Sequence, residues 1–148
     1  LVLIGILSIV GIGLLANPAS YSALLARDQF LSSALLAHKR ALANTSDTMA
    51  LTIRDTGSQW CFRVSTASDT GCSPGQAGAR TADREGAALQ GNPGILYFRG
   101  HRRVDSGGDP IPPSSSAQLR FVSSGSGGRH RACVSASGFA YAGNCASN

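Results

Sequence analysis

Four cysteines carry the clearest chemistry in this sequence. Cys61 and Cys72 form one local pair, and Cys133 and Cys145 another. Neither spacing is the Cys-x-x-Cys of zinc sites or thioredoxin-like centres. His38, His101 and His130 stand apart from the pairs, except that His130 falls three residues before Cys133. No metal and no cofactor is therefore expected. Structural disulfides, Cys61 with Cys72 and Cys133 with Cys145, are the expected use, and they imply an oxidising compartment such as a periplasm or cell exterior. Each closes a short loop, so each contributes about 3 kcal/mol in the chain-entropy picture.

Catalytic constellations are weak. "SGSGG" at 124–128 lacks the spacing of a nucleophile elbow, and no Gly-Lys-Ser/Thr phosphate loop occurs. Asp105 and Asp109 lie in a Gly/Pro stretch, where solvated turn residues are the plainer reading than an acid/base pair. His101 with Arg102 and Arg103 offers an anion contact or a solvated loop flank. Asn44-Thr45-Ser46 matches a glycosylation acceptor, meaningful only in a eukaryotic secretory setting. The chain is not expected to be an enzyme. Net charge is +5, nearly all of it arginine, and no acidic residue follows Asp109. That basic C-terminal quarter permits an anionic partner without requiring one.

The elements that would position these residues fall into two regimes. Leu1 to Ala16 holds Ser8 as its one polar side chain, and the first charge is Arg27. Three readings of this stretch compete: a secretory leader, a buried core helix, or a membrane anchor. Continuation into "ALLARDQFLSSALLAHKRALAN" favours the anchor. There Leu24, Leu31, Leu35 and Leu42, with Phe30 and Ala34 alongside, predict one apolar helix face. Residues 1–43 read as one stalk helix, about 65 Å long if continuous, interrupted or kinked near Pro18. Residues 1–23 of this stalk are greasy all round, whereas residues 24–43 are amphipathic and pack on the head.

From Met49 the period becomes two. "MALTIR" and "QWCFRV" flank Asp55-Thr56-Gly57-Ser58, a hairpin signal. Residues 68–94 read as a long irregular stretch, "GILYFRG" at 94–100 as a short strand, and 105–116 as a loop. "AQLRFVS", "RHRACVS" and "GFAYAG" read as three short strands. The expectation is an α+β fold: a long hydrophobic-to-amphipathic helix (1–43) on a small antiparallel β-sheet head (44–148) with two disulfides.

This order resembles type IV pilins and type II secretion pseudopilins, specifically minor subunits of the GspH/FimT kind, with similarity to MshC-like pilins. "LVLIGILSIVGIGLL", "LLARDQFLSSALLAHKRALA" and "LRFVSSGSGGRHRACVSASGFAYAGNC" carry it. Family chains begin with a basic leader ending in Gly and then a Phe-Thr-Leu-Ile-Glu-type motif. Aligning Gly5-Ile6-Leu7 with the family's Gly-Ile-Leu step implies that roughly nine mature residues, the helix-start glutamate included, precede Leu1. Pro18 lies a few residues later than the family's usual helix proline. The resemblance implies a helix that sits in the bacterial inner membrane before assembly and packs against other pilin subunits afterwards, with a periplasmic head. Leu3, Ile4, Ile6, Leu7, Ile9, Val10, Ile12, Leu14 and Leu15 would carry both roles, with glycines permitting close helix approach.

Gly128-Arg129-His130-Arg131 before Cys133 also resembles the Gly-Arg-x-Arg motif of FimT-like pilins that bind DNA during uptake. On a strand, Arg129 and Arg131 share a face. With His130 and Arg120 they would engage phosphates weakly, salt-sensitively and without sequence preference. The plainer alternative is that they solvate a sheet edge and discourage edge-to-edge pairing. A third reading of the whole chain is a secreted disulfide-bonded domain whose greasy segment is a leader.

Overall fold

Residues 18–43 contain many helix formers and no glycine, and they form α1 (Pro18–Ala43) in the computed structural model, which describes residues 18–124 and 128–146. Asn44 closes the helix by donating its N–H to the Arg40 carbonyl at 2.9 Å, and its side-chain amide reaches Asp47 at 2.6 Å. Among the described residues no helix is long and apolar enough to cross a membrane. The expected anchor positions Leu3 through Leu15 lie outside the described residues, as does the approach to the expected kink at Pro18.

The inward face of the helix keeps Phe30 and Ala34 of the face expected, but alanines and not leucines make up the rest of it. Ala23, Ala26, Phe30, Ala34, Ala37 and Ala41 are fully buried. Leu24 and Leu31 are only half-buried, whereas Leu35 and Leu42 are 44% and 51% exposed. The buried positions recur at steps of three and four, so the helical period stands while alanines take the leucines' place on the inward face. The physical reason is room. The helix packs against strands of two sheets at once, and methyl-sized side chains let three layers close on one another where leucines would hold them apart.

The head comprises nine strands among the described residues: β1 (Met49–Asp55), β2 (Gln59–Thr66), β3 (Ala79–Asp83), β4 (Ala88–Gln90), β5 (Ile95–Arg99), β6 (Arg102–Val104), β7 (Ala117–Val122), β8 (Arg129–Val134) and β9 (Ala140–Ala142). They divide into two antiparallel sheets, ordered β3-β2-β1-β5-β6 and β4-β7-β8-β9. The fold is thus α+β, and its head holds two sheets where one was expected. The expected β1–β2 hairpin forms around Asp55, whose carboxylate accepts the Gly57 N–H at 2.8 Å. The stretch 68–94, expected to be irregular, contributes β3 and β4, and β6 follows directly on the expected β5.

Alternation decides the core. Leu51, Ile53, Trp60, Phe62, Leu96 and Phe98 point inward from the first sheet, and Leu119, Phe121, Ala132 and Val134 from the second. Phe30 bridges the layers, its ring 6.1 Å from Phe62 and 6.2 Å from Phe121, and Trp60 meets Phe121 edge-on at 5.5 Å. The outer face of the first sheet is covered by residues 67–78. Arg63 holds that segment by donating to the carbonyls of Gly71 (2.8 Å) and Ala77 (3.2 Å) and to the Asp69 carboxylate (2.6 Å). The Cys61–Cys72 disulfide pins it to β2.

Candidate functional site

Chemistry-bearing side chains gather on the outer face of the second sheet. Because Leu119, Phe121, Ala132 and Val134 enter the core, the pleat sends Gln118, Arg120, Arg129 and Arg131 outward. The register sets Arg120 directly opposite Arg131, and Val122 opposite Arg129. Like charges facing across a strand pair are unfavourable unless an anion or solvent offsets them. Arg131 donates to the Asn144 side chain at 2.5 Å. Among the described residues the ion pairs are Arg27–Asp28, Arg63–Asp69 and Arg84–Asp55, so no carboxylate neutralises Arg120, Arg129 or Arg131.

This face is braced from its C-terminal side. The expected Cys133–Cys145 disulfide is present, with Cα atoms 5.0 Å apart. Gln118 adds a second tie: its amide donates to the carbonyls of Ala132 and Gly143, each at 3.2 Å, and its oxygen accepts the Cys145 N–H at 2.7 Å. Gly91 stands against this brace with φ +73°, where a Cβ would come within 2.4 Å of the Gln118 carbonyl oxygen. Only glycine fits there. Beside it, Gln90 and Arg120 line a shallow depression of about 280 Å³.

His130 leaves the group expected for it. It pairs with Phe121 across the strands, on the inner face, and its Nε2 is buried without a partner among the described residues. Burial lowers its pKa; the nearby Arg27 charge lowers it further, and Asp28 partly opposes that. Its ring faces the core side of the sheet, away from the outward arginines. The cations on the outer face of this sheet are therefore Arg120, Arg129 and Arg131.

The other candidates disperse. Asp105 spends its carboxylate on the N–H groups of Gly107 and Asp109, both at 2.9 Å, which makes it a turn residue. His101 and Arg102 are exposed at the β5–β6 turn, but Arg103 points the other way and donates to the carbonyls of Ser115 (3.1 Å) and Val134 (3.3 Å). Burial lowers the pKa of its guanidinium. The Asn44-Thr45-Ser46 segment is exposed, and Ser46 donates to the Asn44 side chain at 2.7 Å. A larger depression, about 510 Å³, lies between the turns at 57–59 and 83–86; Arg84, the cation in its lining, is spent on Asp55 at 3.0 Å. Among the described residues no three His, Cys, Asp or Glu side chains gather as a metal site requires.

A second surface had no place in the sequence reading. Tyr21, Leu25, Asp28, Ser32, Leu35, Lys39 and Leu42 recur at steps of three and four along the outside of α1, and all are exposed. Tyr21 and Leu42 are 60% and 51% exposed. The signal lay in the alanine positions: once these claim the interior, the leucines on the opposite side of the helix must face out.

No family model, curated protein or solved structure matches the chain.

Proposed function

We propose that the chain is a minor pilin or pseudopilin, a structural and assembly subunit of a type IV pilus or type II secretion pseudopilus, held in the bacterial inner membrane with a periplasmic head before assembly. One observation carries this reading: α1 gives its alanine face to its own head and leaves Tyr21, Leu25, Leu35 and Leu42 without a partner among the described residues. These four lie on one side of the helix, interleaved with Asp28, Ser32 and Lys39, and an exposed apolar row of this kind suits packing on another helix. In the proposed assembly, that row continues the apolar run of residues 1–16 and packs on neighbouring subunits. A photo-crosslinking residue at position 35 in the source cell should give adducts with another pilin-type subunit. Absence of such adducts, with the protein present in the membrane fraction, would overturn the proposal.

A second reading is a FimT-like minor pilin that binds DNA for uptake. It is favoured by the Arg120–Arg131 opposition, two cations held face to face on a braced sheet with no carboxylate partner among the described residues. Phosphates would relieve that repulsion, and binding would be weak, independent of sequence and steeply salt-dependent. The full chain in neutral detergent should retard DNA in a gel at low salt, and Arg129→Ala with Arg131→Ala should abolish the shift. An unchanged shift removes this reading.

A further inference from the structure

The basic face does not end at Arg131. Tyr141 on β9 stands opposite Cys133, so Arg131 is its next outward neighbour along β8, a diagonal spacing of about 7–8 Å. Tyr141 is 38% exposed and opens a depression of about 310 Å³. A second depression, about 250 Å³, shares Pro113, Ala136 and Ser137 with the first, so the two adjoin as one trough. Its far end carries His101 and Arg102, and no carboxylate among the described residues lines either depression.

Two features mark the trough as built. Its walls are tied together through Arg103, whose N–H donates to the Ala136 carbonyl at 2.8 Å while its guanidinium holds Ser115 and Val134. Its cationic end repeats the arrangement of the basic face: Arg99 stands directly opposite Arg102 across the β5–β6 pair. Again no ion pair reaches either arginine among the described residues. Cations at one end, an aromatic ring at the other with Arg131 one diagonal step beyond it, and a concave floor between suit a track for a single strand, with backbone phosphates on arginine and a base on the ring. An unpaired base can reach the Tyr141 ring, whereas the bases of a duplex are stacked on one another.

We infer that the nucleic acid taken by this surface is a single strand, running from Arg120 and Arg131 across Tyr141 into the trough ended by His101 and Arg102. This inference rests on the nucleic-acid reading of the basic face.

The test is fluorescence anisotropy with the full chain in neutral detergent, using labelled oligodeoxythymidine and a duplex of equal length. The single strand should bind more tightly. His101→Ser with Arg102→Ser should weaken single-strand binding about tenfold and flatten its salt dependence, leaving duplex binding unchanged. These two side chains are exposed and hydrogen-bond only to each other among the described residues (3.3 Å), so the variant keeps its fold. Tyr141→Leu should also weaken single-strand binding, about five- to tenfold, through lost stacking. A duplex bound as tightly as the single strand overturns the inference, as do trough variants that leave single-strand binding intact. If those variants have no effect while Arg129→Ala with Arg131→Ala abolishes binding, the basic-face reading stands and the trough falls. If the unaltered chain binds neither probe, both fall.

Discussion

His38 lies on the inward side of α1, against Phe98 and Phe139 at ring-centroid distances of 6.4 and 5.5 Å, and its Nε2 is buried without a partner among the described residues. Burial lowers its pKa, and His101 nearby lowers it further. His130 shares that direction, again chiefly through burial. The sign of the effect follows. Both groups are harder to protonate in the fold than the ordinary value of 6.5. Above that value they are neutral whether folded or not, and their contribution is intact; as pH falls below it, the unfolded chain gains protons first and stability drops. Asp69 acts elsewhere. The hydrogen bond from Arg63 holds its carboxyl below the ordinary 3.8, so its contribution fades only in stronger acid. The melting temperature should therefore fall from about pH 7.5 to about pH 5.5. His38→Gln with His130→Gln should flatten that slope, read by thermal melts across the window; an unaltered slope would contradict the assignment. The cysteines give a second prediction at this scale. Peptide mass spectrometry without reduction should show Cys61–Cys72 and Cys133–Cys145. Replacing both members of either pair with Ala should cost about 3 kcal/mol in denaturant melts. These pairs were legible because each joins cysteines only 11 or 12 residues apart. The Arg63 hub was not, because its acceptors are mainly backbone carbonyls of a segment with no periodicity.

At the scale of elements, α1 shows how far pattern carries. Its helical period is plain in the sequence, but its inward face is not, because a ranking by hydrophobicity prefers leucine to alanine. Space between layers decides otherwise. Phe30 is the largest fully buried side chain on that face, fixed between Phe62 and Phe121. Phe30→Ala should thus cost about 3–5 kcal/mol, whereas Ala34→Leu should cost about 1–3 kcal/mol through overpacking. Leu35→Ser, one position along but facing out, should change stability by less than about 0.5 kcal/mol. Urea titrations of the three variants check the order; a Leu35 variant as damaged as the Ala34 variant would restore the leucine face. Among the strands, β1, β2, β5, β7, β8 and β9 were legible from alternation and turn residues. By contrast, β3 reads Ala-Arg-Thr-Ala-Asp, and β4 and β6 have three residues each. They are strands because a neighbour supplies the hydrogen-bonding edge, as β2 does for β3 through the Cys61–Thr81 and Phe62–Arg80 pairs. That information is not local.

For the whole molecule, what the sequence could not tell was the partition of strands. The chain leaves the first sheet after β3, lays β4 beside β7 in the second, and returns with β5 beside β1. This path gives each sheet an inner face against α1 and the other sheet; residues 67–78 cover the outer face of the first, and the outer face of the second carries the arginines. The candidate surfaces consequently sit on separate supports: the Leu25–Leu35–Leu42 seam on the outside of α1, and the arginines on the outer face of β7 and β8. They share no side chain and no hydrogen bond among the described residues. Substitutions at distant sites without shared partners act independently, so the two properties should be separable. Leu25→Ser with Leu35→Ser and Leu42→Ser should remove crosslinks to other subunits and leave oligonucleotide binding intact. Arg129→Ala with Arg131→Ala should do the reverse. Crosslinking in the source cell and anisotropy on the purified full chain, run on both variants, read the two properties side by side. Loss of both from either variant would mean that one surface serves both roles, and the division of labour between helix and sheet would have to be abandoned.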